Sequence, residues 1–130
     1  MRSSTATRLV LATGAAMQAA AHAATAGPLV ASGHVIGSIL ALFCLVGVWA
    51  ALRLLLVDCL EGRAIVVTLA VLTLIGIGLS TTVGYPGQQA VPLTAAGIVG
   101  AFASVTACAA MLVPRAARAP GPTERATYHR

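Results

Sequence analysis

The chain contains no lysine and no asparagine, and only 8% of its 130 residues are charged. A soluble domain carries roughly 25% charged residues, so this composition cannot cover a water-facing surface. Acids are scarcer still: Asp58, Glu61 and Glu124 are the only three. Asp58 and Glu61 fall on one helical edge by spacing, but they lie beside Arg53 and Arg63, which is the pattern of local ion pairing rather than of a hydrolytic pair. Three cysteines, Cys44, Cys59 and Cys108, form no C-x-x-C unit. Their odd count and wide spacing suggest neither a disulfide framework nor a zinc site. What remains is apolar: 58% of the residues are hydrophobic and the mean hydropathy is +0.93. Such a chain has too much hydrophobicity and too little charge for intrinsic disorder. It reads as an integral membrane protein with almost no soluble part.

The missing residue types also carry a signature of origin. All eight basic residues are arginine, and Ala, Gly and Pro are abundant. Lysine and asparagine use A/T-rich codons, so the bias points to a GC-rich genome of the kind found in high-GC bacteria.

Motifs for chemistry are absent as well. There is no phosphate-binding glycine loop after a strand, no G-x-S-x-G and no H-E-x-x-H. An ionisable group deep in a span would be a functional candidate, because charge is expensive in lipid. None falls at the centre of the three spans assigned below. His34, in the outer turn of the first of them, has no second span histidine to complete a paired haem ligation, and reads as an interfacial polar residue. The sequence therefore predicts no catalytic, cofactor-binding or metal-binding residue and no enzymatic activity. Coupled transport, which needs polar groups near the midplane and often inverted repeats, finds little support either.

Along the chain, Arg2 and Arg8 precede a weakly apolar, alanine-rich stretch that closes on Ala21-His22-Ala23 and Ala24-Thr25-Ala26, with Gly27-Pro28 behind it. A basic start, a short apolar region and small residues at an A-x-A site describe a secretory signal peptide over residues 1–26. The alternative is an uncleaved fourth apolar helix over about 9–26. The membrane domain follows over 27–114. A first span is expected over about 33–55, with Trp49 and Arg53 near its boundary. The loop 57–64, VDCLEGRA, carries Asp58, Glu61 and Arg63. From Ala64 to Pro114 no charge occurs, and the cluster Gly84-Tyr85-Pro86-Gly87 divides this run into spans at about 64–83 and 92–113. The fold class expected is an all-α membrane protein with three transmembrane helices after the signal peptide, or four apolar helices.

Arginine placement fixes the expected orientation. Arg53 and Arg63 flank the first loop, and Arg115, Arg118, Arg125 and Arg130 sit in the tail 115–130. The positive-inside rule places the loop 57–64 and the C-terminus in the cytoplasm, in the inner membrane of a bacterial cell. The tail's four arginines are explained by topology and by anionic headgroups, each contact worth about 1 kcal/mol near the surface. No direct nucleic-acid site is predicted.

Small residues recur every four positions: Gly33-Gly37-Ala41, then Gly76-Ser80-Gly84, then two stripes in the third span, Ala96-Gly100-Ser104-Cys108 and Gly97-Ala101-Val105-Ala109. Close approach at such faces holds helices together in lipid, and Thr68, Thr73, Thr81, Thr82, Thr94 and Thr106 offer interhelical hydrogen bonds or bonds to their own backbone. The third span has more than one such face, which points to a homo-oligomer.

The order AHAATA at 21–26, an apolar span at 33–56, VDCLEGRA at 57–64 and an apolar span at 65–84 resembles the pilin-like family of type IV secretion and conjugation systems, the VirB2/TrbC type. The resemblance covers about half the chain and rests on layout. It implies a small subunit stored in the membrane and assembled into a pilus or channel, with the Arg63 loop facing a lumen. The third span and the basic tail depart from that family. They are similar instead to the small spread proteins of plasmids in mycelial actinomycetes, which also serve DNA transfer. The function expected is thus a self-associating membrane component of conjugative transfer or type IV secretion. The alternatives are a phage holin-like pore former and an accessory subunit of a larger membrane complex.

Overall fold

The computed structural model describes residues 5–57, 59–84 and 89–112. All regular structure among them is helical: α1 (Thr5–Ala31), α2 (Val35–Leu56), α3 (Leu60–Thr82) and α4 (Ala95–Leu112). The helices run up-down-up-down. Helix α1 packs on α2 and α4, α3 packs on α4 and α2, and α1 and α3 face each other across the diagonal with little contact.

Helices α2, α3 and α4 are long and apolar enough to cross a membrane, with mean hydropathies of 2.5, 2.3 and 1.9. At 1.5 Å per residue the 22 residues of α2 span about 33 Å, against about 30 Å of hydrocarbon. Their outer faces carry Leu42, Leu45, Ile75 and Phe102 in the open. Large apolar side chains turned outward on three helices are what a lipid solvent calls for. This is a multi-pass membrane protein.

Helix α1 is the one the sequence left between two readings. It does not stop at Gly27-Pro28, as the extra-helix reading over 9–26 expected, but runs through Pro28 to Ala31. The reversal comes at residues 32–34. There the amides of Gly33 and His34 bond back to the carbonyls of Val30 and Leu29, and Gly33 takes a φ of +73°, open to glycine at no cost. Its inward face is Leu11, Ala12, Gly14, Ala15, Gln18, Ala19, Ala21, His22 and Ala26, so most of it is alanine and glycine. Small side chains let backbones approach closely, and this is what seats α1 against two neighbours at once. The corner between α1 and α2 is tighter still. A Cβ built on Gly37 would lie 2.5 Å from the Val30 nitrogen and 2.7 Å from the Leu29 carbonyl carbon.

The charged segment expected as the loop 57–64 is much shorter. Helix α3 begins at Leu60, so Glu61 and Arg63 are helical. The Cys59 side chain caps the helix by accepting from the Gly62 amide at 3.4 Å, and Glu61 sits in the first turn, where a negative charge meets the positive end of the helix dipole. Arg63 points into the bundle and is 2% exposed, not displayed in a loop. Arg53 of α2 reaches Glu61 at 3.5 Å and lies over the Trp49 ring at 5.5 Å. Asp58, Tyr85 and the tail 115–130 lie outside the described residues.

Candidate functional site

Two polar side chains stand on the buried face of α1, one turn apart. Gln18, the middle residue of the helix, is 1% exposed. Its Nε2 donates to the hydroxyl of Ser104 on α4 at 2.7 Å, and that hydroxyl donates in turn to the Gly100 carbonyl at 2.7 Å. His22 bonds through Nε2 to the hydroxyl of Thr73 on α3 at 3.1 Å. Thr73 gives its own proton to the Leu69 carbonyl at 2.7 Å, so it can only accept from His22. The imidazole therefore carries a proton on Nε2, and in the neutral ring Nδ1 is the acceptor. Each relay runs from α1 through a hydroxyl to a carbonyl of another helix. Together they tie α1 to α3 and α4 near mid-bundle, where lipid offers no competing partner. The His22 ring also packs edge-on against Phe43 of α2, with centroids 5.7 Å apart. All four helices thus meet around these two residues.

On one side of this polar layer the bundle is closely packed, with Leu11, Leu54, Val66 and Ala107 forming its apolar core toward the end where α2 gives way to α3. On the other side the hairpins α1–α2 and α3–α4 part, leaving a cavity of about 990 Å³ that extends toward the 84–94 connection. His22, Thr73 and Gly100 form its deep end. Its walls are mainly aliphatic, from α2 and α3, with Phe43 among them. Among the described residues no charged side chain lines it. Across its mouth the chain returns over α3, the Val91 amide donating to the Ser80 carbonyl at 3.0 Å.

Four of the five described hydroxyls that line this space are committed in one direction, the exception being Thr94 at the mouth, which accepts from the Gly97 amide. Thr25 donates to the Ala21 carbonyl, and Ser80 and Thr81 both donate to the Ile77 carbonyl, at 2.9–3.0 Å. Their oxygens are left as acceptors. Pro28 has no N–H, so the carbonyl of Ala24 on the same wall lacks its ordinary helical donor.

The residues singled out in the sequence divide accordingly. Thr73 and Ser104 are brought together with α1. Thr81, Thr82 and Thr106 bond back to their own helices, and Thr94 caps α4 by accepting from the Gly97 amide. The stripe Ala96-Gly100-Ser104-Cys108 is turned inward, its Gly100 close to Ala21 and Thr73. The stripe Gly97-Ala101-Val105-Ala109 lies on the outer side, partly or fully exposed. Gly76 borders the cavity with open space before it. His34 is the N-cap residue of α2, half-buried at the bundle's end. Among the described residues no group of three or more His, Cys, Asp or Glu stands where it could hold a metal ion.

Sequence reasoning missed Gln18 and His22, because both fell in the segment read as a signal peptide. The signal was present as a Gln-x-x-x-His pair one helical turn apart in a charge-free run. The two A-x-A motifs of that segment lie in a helix whose Ala21 and Ala26 are buried in the bundle. The chain matches no protein-family model, no curated protein and no solved structure.

Proposed function

We propose that the protein works as a four-span bundle that keeps α1, resides in a bacterial inner membrane with both termini in the cytoplasm, and acts as a self-associating component of a larger membrane assembly. The observation that carries this reading is the central seat of α1, hydrogen-bonded to α3 and α4 and in close contact with α2. A chain beginning after residue 26 would lose Gln18 and His22 and uncover Gly47, Ala103 and Ala107, which pack against Gly14, Ala15 and Ala19. Orientation rests on charge: Arg8, Arg53 and Arg63, the described arginines, all lie at the 57–59 end of the bundle, the end that the positive-inside rule assigns to the cytoplasm.

Self-association is supported by two outward faces of small residues. One is Ala101-Val105-Ala109 on α4; the other is Thr13, Ala16 and Ala20 on α1. Faces of this kind favour helix–helix contact in lipid. The setting we propose is conjugative DNA transfer or type IV secretion, on the likeness of layout to the pilin-like and spread proteins. A retained α1 and a buried Arg63 fit a resident membrane component better than an extractable pilus subunit whose Arg63 loop lines a lumen.

Three measurements test the reading. Intact mass of the protein from native membranes should match a chain that includes α1; a start at Ala24 or Gly27 refutes the four-span bundle. A cysteine placed at Gln89 should react with a membrane-impermeant thiol reagent on whole cells. A cytoplasmic Gln89 would reverse the orientation. Deleting the protein from its host should lower DNA transfer to a recipient, and unchanged transfer would remove that setting.

A further inference from the structure

We infer that the cavity between the two hairpins is a binding site for a neutral amphiphile with a hydrogen-bond-donating head group, in chemical terms a long-chain alcohol, its head at His22 and its apolar body along α2 and α3. The inference stands independently of self-association and of the transfer setting.

Size and lining come first. A volume of about 990 Å³ lies at the upper end of the ~300–1,000 Å³ of small-molecule sites, and the mix of aliphatic walls with a few convergent polar groups is typical of them. Among the described residues the lining has no arginine to attract an anion and no carboxylate to offset a cation. A full charge at this depth is expensive, so the occupant is neutral.

The direction of the hydrogen bonds then selects the head group. Thr25, Thr73, Ser80 and Thr81 all spend their protons on carbonyls of their own helices. The Ala24 carbonyl has lost its donor to Pro28. His22 holds its Nε2 proton toward Thr73, and in the neutral ring Nδ1 is an acceptor. Thr94, which keeps its proton, lies at the mouth, so the polar side chains around His22 at the deep end are acceptors. A molecule that can only accept meets acceptors there, whereas a hydroxyl supplies the missing donor. In an apolar surround one such bond weighs more than at a wet surface.

The test uses full-length protein in lipid nanodiscs and a photoactivatable diazirine on a long-chain primary alcohol. The same chain ending in a methyl ether and in a carboxylate serves for comparison, with crosslinked peptides mapped by mass spectrometry. The alcohol should label segments 36–43 and 72–83 and be displaced by unlabelled alcohol. The ether should bind about tenfold more weakly, the loss of one hydrogen bond, and the carboxylate more weakly still. Gly76→Leu fills the cavity from a position where a Cβ meets nothing within 4 Å, and should abolish the labelling. Gly78→Leu, equally open but outside the lining, should leave it intact. His22→Phe keeps a ring against Phe43, removes the acceptor, and should bring alcohol binding down to the ether's level. Labelling spread over the outer faces, or unaffected by Gly76→Leu, overturns the site. Equal labelling by alcohol and ether overturns the head-group assignment.

Discussion

Gly37→Ala and Gly78→Ala are the same chemical change in two apolar helices, and the structure gives them opposite signs. At Gly78 an added methyl finds nothing within 4 Å. The substitution then only removes glycine's backbone freedom, which in a helix interior is worth about 1 kcal/mol in favour of alanine. At Gly37 the methyl would stand 2.5 Å from the Val30 nitrogen and 2.7 Å from the Leu29 carbonyl carbon. Ordinary contact begins nearly an ångström further out. Both neighbours are backbone of the α1 end, so neither can rotate away as a side chain would. They also belong to the turn in which the Gly33 and His34 amides bond back to Val30 and Leu29, so retreat loosens those bonds too. Overpacking of this kind costs typically about 1–3 kcal/mol, more than the propensity gain offsets. Gly37→Ala should therefore destabilise by about 1–2 kcal/mol and Gly78→Ala should stabilise by up to about 1 kcal/mol. Equilibrium unfolding by dodecyl sulfate in mixed micelles, followed by circular dichroism, reads both. Two variants that shift stability in the same direction by similar amounts would refute the close approach of α1 and α2, and with it the central place of α1.

The polar layer gives a second contrast. Gln18→Leu keeps volume and removes one hydrogen bond, so its cost should stay within about 1 kcal/mol; Gln18→Ala opens a void between α1 and α4 and should cost about 2 kcal/mol. Similar losses for both, measured in the same unfolding assay, would show that the amide and not the packing matters at this position. Cys59→Ser puts a favoured N-cap residue where a thiol now caps α3 at 3.4 Å, and should raise stability by about 0.5 kcal/mol; a loss would mean that the sulfur's contact with Gly62 is needed as it stands. Glu61→Gln breaks the exposed 3.5 Å pair with Arg53 and should change stability by less than about 0.5 kcal/mol, with the difference vanishing at high salt. A large, salt-insensitive loss would contradict a surface ion pair.

Spans of large aliphatic residues were easy to find in the sequence and their ends were not. The expected spans 33–55, 64–83 and 92–113 correspond to α2 (Val35–Leu56), α3 (Leu60–Thr82) and α4 (Ala95–Leu112). The largest difference is at α3, which starts four residues early because charge was read as loop. Glu61 is in fact favoured in a first helical turn, and Arg63 follows it into the helix. At α4 the helix waits for Thr94, whose hydroxyl caps it. The polar layer was only half legible. Thr73 and Ser104 lie in clear spans, Thr73 as a possible bridge and Ser104 only as a member of a small-residue stripe, but their partners Gln18 and His22 lay in a segment too poor in leucine to read as a span. No local pattern announces the cavity, since it arises where two hairpins diverge.

Low hydropathy in α1 has a physical cause that bears on assembly. Lipid-facing helices need large apolar side chains, as the outer faces of α2 and α4 carry, whereas a helix covered by protein can be small throughout. Apart from Leu11, the inner face of α1 is alanine and glycine with Gln18 and His22, and it is covered by α2, α3 and α4. Its outer face over 13–23 is also small: Thr13, Ala16, Ala20 and Ala23 are exposed. A helix small on both faces is shaped for protein neighbours on both sides. In the assembly we propose, a second copy takes the outer one. Ala20→Cys should then form a disulfide-linked dimer in native membranes under mild oxidation, since two Cα atoms must lie within about 7 Å to be bridged. Leu45→Cys, on the large-residue face of α2, should remain monomeric in the same assay. Equal crosslinking at both positions would reduce the contact to random collision, and crosslinking at Leu45 alone would turn the interface to the other side of the bundle.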